Sequence, residues 1–249
     1  MRKGAVDLYG RPPRPELRKG SGRPWERSTF TVDRLSTAAA APLAIGCAVL
    51  AAGAGMRFGT AGSKLVAPLR GRPLVQYAID AACGSSATRC SLILGAEARR
   101  VLDVVDARRA AIYYNEAWRS GLSSTVRTAL HLHAKDDACI LMLGDAPHVG
   151  AGELDTLIDA WLAHKRSIIA LRSGDVWGAP ILFPRADYAA LRGLAGDKGA
   201  KGYALAHLKR VTFVDASSAL AFADVDRQND LKRLNADGSR RTRRSRSRR

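Results

Sequence analysis

Long apolar runs and regularly spaced cysteines are both missing from this sequence of 249 residues. No apolar stretch approaches the roughly 20 residues that a membrane-spanning helix needs. The basic start, rich in proline and glycine, also lacks the apolar segment of a secretory signal. The four cysteines, at positions 47, 83, 90 and 139, show neither metal-ligand nor redox-motif spacing. The sequence therefore predicts a cytoplasmic protein in a reducing environment, without a membrane span.

Histidines are also few, and none completes a recognisable catalytic pattern. His131 and His133 lie two positions apart on a predicted helix, so they do not share a face, and we expect both on the surface. His148 follows Asp145 closely and is either a turn residue or a substrate contact. No pairing of serine, histidine and aspartate, or of cysteine and histidine, can be read from the order of residues.

Acidic residues are outnumbered by basic ones, 23 to 40, which gives a formal net charge of +17. The excess is concentrated at the two ends: residues 1–42 hold nine Lys or Arg against four Asp or Glu, and residues 236–249 hold seven Arg against one Asp. The residues between them keep a modest positive charge, which suits a polyphosphate ligand as well as a nucleic acid. We predict disordered basic segments at 1–42 and 236–249, and one domain at 43–235.

Apolar runs alternate with segments of helical spacing inside that domain. This alternation predicts an α/β fold of three layers, α/β/α and Rossmann-like, with a mostly parallel mixed sheet. Ligands of such a sheet bind beyond the carboxyl ends of its strands. The predicted strands are 43–51, 90–94, 111–114, 138–143, 167–171, 179–183 and 211–214. The predicted helices are 73–83, 96–107, 123–133, 152–163, two short ones before residue 211, and 229–234.

A glycine-rich loop, LAAGAGMRFG, follows the first predicted strand directly. Its glycines, Gly53, Gly55 and Gly59, let backbone N–H groups approach a phosphate without obstruction by a Cβ atom. Arg57 adds a planar cation and Lys64 adds a mobile one. The order of residues fits neither a phosphate-binding P-loop nor a dinucleotide fingerprint. We therefore interpret the loop as a cradle for a triphosphate.

Two candidate acidic sites occur later in the sequence. Asp145 stands at the end of the most apolar strand, and Pro147 forces a turn immediately after it. A hard divalent cation prefers such an oxygen ligand, with phosphate oxygens and water completing its shell. Asp224 and Asp226, two positions apart on an extended segment, share a face and form a second acidic cluster. The sequence therefore predicts a metal site near Asp145.

The glycine loop, Lys64 and the Asp-x-Pro motif at Asp145 together resemble the signature of the molybdenum-cofactor nucleotidyltransferases. That family belongs to the nucleotide-diphospho-sugar transferase fold, and the resemblance spans residues 43–234. It implies that Asp145 and Asp226 hold Mg²⁺ and that Arg57, Lys64 and Asp145 are catalytic. The nucleotide-binding residues it implies are Leu50, Ala51, Ala52, Gly53, Gly55, Arg57, Gly59, Lys64, Gly121, Ser123 and Ser124. The acceptor-binding residues it implies are Gly178, Pro180, Gly196, Asp197, Gly199 and Lys201.

The resemblance implies transfer of CMP from CTP to the phosphate of molybdopterin, with release of pyrophosphate, and a client molybdoenzyme as a further partner. Within the family, Leu-Ala-Ala-Gly, found here at residues 50–53, goes with CTP rather than GTP. Three alternatives stay open. One is a guanylyltransferase, or a sugar- or polyol-phosphate cytidylyltransferase, of the same fold. Another is a nucleic-acid-binding protein acting through its basic tails, and the third is a non-catalytic cofactor chaperone.

Overall fold

A computed structural model describes residues 42–55, 58, 63–222, 225 and 229–236, all within one unit that begins at Pro42. These residues form a seven-stranded sheet, a two-stranded hairpin and flanking helices. The strands are β1 (Ile45–Ala51), β2 (Pro68–Leu69), β3 (Arg72–Pro73), β4 (Arg89–Leu94), β5 (Ala111–Tyr114), β6 (Ala138–Leu143), β7 (Ile168–Ser173), β8 (Val176–Pro184) and β9 (Val211–Asp215). The helices are α1 (Leu74–Gly84), α2 (Ala98–Leu102), α3 (Leu122–Leu132), α4 (Ala151–Ala163), α5 (Tyr188–Arg192), α6 (Ala200–Ala206) and α7 (residues 229–236).

The large sheet has the strand order β5-β4-β1-β6-β8-β7-β9. Its neighbouring strands run parallel, except that β8 runs antiparallel to both β6 and β7. The sheet is therefore mixed and mostly parallel, which confirms the fold class predicted from the alternation of apolar runs. The carboxyl ends of β1, β4, β5 and β6 consequently meet at one edge, here called the carboxyl edge.

Along a strand, successive side chains point to opposite faces of the sheet, and here apolar side chains cover both faces. In β1, Cys47 and Val49 belong to an apolar cluster that includes residues of α1 and α4. Ala48 and Leu50 belong to a second cluster, which includes residues of α3, α5 and α6. The molecule therefore has the predicted three layers, with helices covering each face of the sheet.

One predicted helix is shorter than the sequence pattern suggested. The expected helix at 96–107 covers only Ala98–Leu102, and both Leu102 and Val104 are exposed, whereas Ala107 is buried in the core. Asp106 is instead held by the buried Gln76 of α1, which exchanges two hydrogen bonds with its backbone at 2.8 and 2.9 Å. Side-chain hydrogen bonds from a neighbouring helix thus fix this segment where helical spacing predicted α-helix.

The last described helix packs against the hairpin of β2 and β3. Leu231 of α7 is buried together with Phe58, Leu69 and Leu74. Asn235 accepts a hydrogen bond from the backbone N–H of Arg70 at 2.7 Å and donates one to a carbonyl of the hairpin at 3.2 Å. The C-terminal helix therefore helps to hold the segment that follows the glycine-rich loop.

A buried polar cluster occupies the opposite, amino edge of the sheet. The Nδ1 atom of His133 lies 2.6 Å from Oδ2 of Asp136, and its Nε2 atom lies 2.8 Å from the hydroxyl of Ser91. Arg89 contacts the second carboxylate oxygen of Asp136. The expectation that His133 lies on the surface is wrong, because its ring satisfies the hydrogen bonds of buried polar partners. His131 is exposed, as expected.

Candidate functional site

The contact between Lys64 and Asp145 is the centre of the candidate site. Asp145 follows β6 directly, and Lys64 opens a short 3-10 helix over Lys64–Val66. The Nζ atom of Lys64 lies 2.6 Å from Oδ2 of Asp145, and their side chains are 9% and 25% exposed. Two residues 81 positions apart in sequence therefore meet at the carboxyl edge of the sheet, and the roles assigned to them stay predictions. Because Asp145 is the more exposed of the two, a ligand can reach the carboxylate while Lys64 stays packed.

The glycine-rich loop runs against Lys64. Gly55 has a φ of +60°, which L-residues other than glycine rarely adopt. A Cβ atom at Gly55 would lie 3.1 Å from the Cβ of Lys64, so the backbone passes close to that side chain. The N–H of Phe58 donates to the carbonyl of Gly55 at 2.8 Å, and the Phe58 ring is buried. Arg57 and Gly59 lie outside the described residues, and their assigned roles stay predictions.

The residues from Leu50 to Gly53, also assigned to the nucleotide, offer a ligand at this edge mainly their backbone atoms. The side chains of Leu50, Ala51 and Ala52 are buried, and the carbonyl of Ala52 accepts from the N–H of Ala96 at 3.1 Å. Gly53 is exposed, with open space around the position of a Cβ atom. The chain therefore turns outward from the core at Gly53, immediately after β1.

The beginning of α3 forms the next part of the edge. Gly121, just before this helix, has a φ of +97°. The Ser124 hydroxyl donates to the carbonyl of Gly121 at 2.8 Å and accepts from Nδ2 of Asn115 at 2.8 Å. Ser123 is fully buried, and its hydroxyl lies 3.4 Å from a guanidinium nitrogen of Arg127. Both serine hydroxyls thus have partners within the protein, and their predicted contact with the nucleotide is untested.

The segments assigned to the acceptor lie directly against α3. The N–H of Ser123 donates to the carbonyl of Gly196 at 3.1 Å. A Cβ atom at Gly121 would lie 2.5 Å from that carbonyl and 2.7 Å from Oδ1 of Asp197, so no larger residue fits there. Gly199 packs in the same way against the side chain of Leu122. Residues of the two predicted sets are therefore in direct contact, at Gly121 and Ser123 on one side and at Gly196 on the other.

Strand β8 carries two more of the residues assigned to the acceptor, Gly178 and Pro180. Gly178 and Pro180 are buried, and the peptide bond between Ala179 and Pro180 is cis. The position of a Cβ atom on Gly178 lies 3.9 Å from Nζ of Lys201. Residues 178–180 and the first turn of α6 are thus neighbours, although more than 15 residues of chain separate them.

Trp177 is a neighbour of this site that no sequence motif singled out. Its ring is partly exposed and lies 5.0 Å, centroid to Nζ, from the ammonium group of Lys201. Its other contact is an edge-on one with Phe213 at 5.3 Å between ring centroids. Its position immediately before Gly178, a residue assigned to the acceptor, is the feature of the sequence that could have identified it. The structure places its aromatic surface beside the ammonium group of Lys201.

The acidic residues of the described chain form no complete metal site by themselves. No group of three or more His, Cys, Asp or Glu side chains within the described ranges is arranged to hold a metal ion. Asp224 and Asp226 lie outside those ranges. Asp145 is a partly exposed carboxylate at this edge, and a cation bound to it would need further oxygen ligands from a substrate or water.

His148 lies three residues beyond Asp145 and is half-buried. Burial lowers the pKa of its imidazole, and the positive charge of Arg70 lowers it further. Its Nε2 atom is buried without a hydrogen-bond partner among the described residues. Burial and the charge of Arg70 therefore both favour the neutral form of the ring.

Comparisons with known proteins agree with this architecture. A family model for MobA-like NTP transferase domains matches residues 47–211. A solved homologue of Mycobacterium tuberculosis Rv0371c, from Mycobacterium sp. strain JC1, is 27% identical, with a TM-score of 0.67 over 79% of this chain and 97% of that one. Rv0371c from Mycobacterium tuberculosis H37Rv, solved in complex with manganese, is 28% identical, with a TM-score of 0.63 over 78% of this chain and 98% of that one.

Among curated proteins, the bifunctional protein GlmU of Neisseria gonorrhoeae is 30% identical over 112 residues, which are 45% of this chain and 24% of GlmU. The chain thus spans about a quarter of the length of this relative. The structural likeness covers more than three quarters of the chain and confirms the predicted fold, that of the nucleotide-diphospho-sugar transferases. No helix among the described residues is long and apolar enough to cross a membrane.

Proposed function

Because the chain belongs to the family of MobA-like NTP transferase domains, we propose that it transfers CMP from CTP to the terminal phosphate of a molybdopterin-type acceptor and releases pyrophosphate. The observation that carries this proposal is the 2.6 Å contact between Lys64 and Asp145. It lies where the adjacent parallel strands β1 and β6 end. A cation and a carboxylate at such a position suit a polyanion and a metal ion bound side by side.

The triphosphate lies, in this proposal, against the loop after β1. Backbone N–H groups around Gly53 and Gly55 and the ammonium group of Lys64 bind its β- and γ-phosphates. Lys64 is already held in place by Asp145, so it loses little side-chain entropy when the nucleotide arrives. Arg57 and Gly59 complete this cradle. Leu50 to Gly53, which match the version of the loop associated with CTP, support CTP over GTP.

A magnesium ion is the cofactor we propose, with Asp145 as its protein ligand and Asp226 as a second. The residues present fit such an ion, because Mg²⁺ is commonly held by one or two carboxylates together with substrate phosphates and water. The carboxylate of Asp145 is partly exposed at the point where the phosphates would lie. The manganese complex of Rv0371c supports a divalent cation in a protein of this fold. When bound, Mg²⁺ neutralises charge that develops on the reacting phosphates.

The acceptor binds, in this proposal, along β8 and the first turn of α6. Lys201 provides a positive charge for the acceptor phosphate, and Trp177 provides a flat apolar surface for a planar ring system. Gly178 and Pro180 leave room for the acceptor, because neither places a long side chain beside Lys201. The contact between Gly121 and the segment Gly196–Asp197 then sets the distance between the acceptor and the nucleotide.

The reaction itself is the attack of an acceptor phosphate oxygen on the α-phosphorus of the nucleotide. The bond from the α-phosphorus to the bridging oxygen breaks, and pyrophosphate leaves with that oxygen. Because the attacking phosphate is already ionised near pH 7, no general base is required. The protein instead has to bring polyanions together and stabilise the charge of the leaving group, which is the role of Lys64 and the loop backbone.

Release of pyrophosphate from each of the four nucleoside triphosphates is the experiment that tests this function. We expect release from CTP with Mg²⁺ and a molybdopterin acceptor, little release from the other nucleotides, and none when the acceptor is omitted. Lys64→Met, which removes the charge and keeps much of the apolar stem, should lower turnover by about 10²-fold or more. Equal turnover in this variant would refute the assigned triphosphate site.

The remaining hypotheses predict different outcomes in the same experiment. Preference for GTP would make the protein a guanylyltransferase. Turnover only with sugar or polyol phosphates would identify it as a sugar- or polyol-phosphate cytidylyltransferase of the same fold. Acceptor binding without any pyrophosphate would support a cofactor chaperone. Binding to RNA that disappears on deletion of residues 236–249 would indicate a role for the basic tail.

A further inference from the structure

Two cysteines that the proposed reaction does not use are in direct contact. Cys83 lies near the end of α1, and Cys90 is the second residue of β4. Their sulfur atoms are 2.6 Å apart, and both side chains are partly exposed. Cys47 and Cys139, by contrast, are fully buried in the sheet. The short connection between α1 and β4 thus creates a pair of thiols that the spacing of cysteines in the sequence did not reveal.

A cleft of about 410 Å³ opens beside this pair. None of its lining residues belongs to the candidate nucleotide site, so access to the thiols does not require passage through that site. The cleft is lined by Ile79, Asp80, Cys83, Asp106, Arg108 and Arg109. A small polar oxidant can therefore reach Cys83 from solvent.

The surroundings of the two thiols give them different chemical roles. The hydrogen bond between the two thiols and the positive charge of Arg109 lower the pKa of Cys83, against the opposing effects of burial, Asp80 and Asp106. The same hydrogen bond, together with burial, raises the pKa of Cys90. Cys83 lines the cleft and is therefore the thiol that an oxidant reaches first, and its lowered pKa favours the reactive thiolate form. Burial raises the pKa of Cys47 to about 12, which makes that thiol inert at neutral pH.

We propose that Cys83 and Cys90 form a reversible dithiol–disulfide couple, a modification site that a hydroperoxide oxidises. The Cys83 thiolate attacks the peroxide, the O–O bond breaks, and the products are a sulfenic acid at Cys83 and an alcohol or water. The sulfur of Cys90 then attacks the sulfenic sulfur, which forms the S–S bond and releases water. The two thiols lose two electrons and two protons in all, and the peroxide takes up both. A dithiol reductant reverses the change.

Oxidation of the full-length protein with one equivalent of hydrogen peroxide, followed by thiol labelling under denaturing conditions, tests this site. Lys or Arg residues separate all four cysteines, so trypsin places each on its own peptide. We expect four labelled cysteines before oxidation, and only Cys47 and Cys139 labelled after it. The linked peptides containing Cys83 and Cys90 should appear with the loss of about two mass units. Treatment with dithiothreitol should restore all four labels.

Two variants separate a specific couple from general oxidation. Cys83→Ser should leave Cys90 labelled after the same treatment and give no linked peptide. Cys47→Ala, a change at a buried cysteine outside the pair, should still yield the link between Cys83 and Cys90. Overoxidation of Cys83 without a link, links that involve Cys47 or Cys139, or full labelling of the wild-type protein would each overturn the proposal.

Discussion

The two edges of the central sheet carry similar polar groups and differ in exposure. At the amino edge, the carboxylate of Asp136 is completely buried and the side chain of His133 is 4% exposed. At the carboxyl edge, the carboxylate of Asp145 is 25% exposed beside Lys64. Both edges pair an acid with a nitrogen base at 2.6 Å. Exposure, rather than the residue types, separates a structural cluster from a candidate site.

At the amino edge, the hydrogen-bonding atoms of the polar groups are also occupied by protein partners. Both ring nitrogens of His133 are occupied, by Asp136 and Ser91, and Arg89 takes the second oxygen of Asp136. In outline this is the serine, histidine and aspartate array of a hydrolase. No surface is left for a substrate, however, because Ser91 is itself buried. A catalytic triad is therefore recognised by the access of substrate to its serine as much as by the distances between its side chains.

The largest expected effect is that of Asp145→Asn on catalysis. The amide keeps the shape of the side chain and loses the charge that binds the cation, so turnover should fall by about 10³-fold or more. Stability should change by no more than about 1 kcal/mol, because the altered side chain is 25% exposed and its amide oxygen can still accept a hydrogen bond from Lys64. Steady-state kinetics and urea unfolding of the same preparation provide the two measurements. Normal turnover would remove Asp145 from the site.

Asp136→Ala should produce the reverse pattern. Loss of this buried carboxylate leaves His133 and Arg89 without their partner, and the free energy of unfolding should fall by about 3–5 kcal/mol. Turnover per folded molecule should stay close to that of the wild type. Asp159→Ala, at an exposed position on α4, is the matched control and should leave both quantities unchanged. Loss of activity in a stable Asp136 variant would mean that the amino edge takes part in function.

Ser91→Ala is expected to have a smaller effect on the same cluster. It removes one hydroxyl and leaves Nε2 of His133 without that hydrogen bond, which should cost about 1–2 kcal/mol in the free energy of unfolding. Chemical denaturation measures the change. A stability loss close to zero would indicate that His133 gains little from Ser91 and that its contact with Asp136 alone fixes the ring.

Acidic pH should weaken the amino edge. Burial lowers the pKa of His133 in the folded state, against the opposing effect of Asp136. The unfolded chain therefore takes up the proton first, and stability is lost as the pH falls below about 6.5, the ordinary histidine value. Urea unfolding above and below that pH should show a smaller loss in His133→Gln than in the wild type. His131→Gln, at the exposed histidine two residues earlier, should keep the wild-type dependence.

Sequence patterns predicted the layers and the order of strands better than the contacts between side chains. The apolar runs at β1 and β6 located both strands, and the motifs after them singled out Lys64 and Asp145, which the structure places in contact. The spacing of His131 and His133 was misleading, because helical periodicity extends only to Leu132 and His133 turns inward beyond the end of α3. The contact between Cys83 and Cys90 was equally hidden, since it depends on how one turn brings a helix end to a strand.

The most direct test of the central claim is a crystal structure with Mn²⁺ and a non-hydrolysable CTP analogue. We expect an anomalous peak for the metal beside the carboxylate of Asp145, with the β- and γ-phosphates lying against Gly55 and Lys64. A metal ion away from Asp145, or a triphosphate bound elsewhere on the chain, would contradict it.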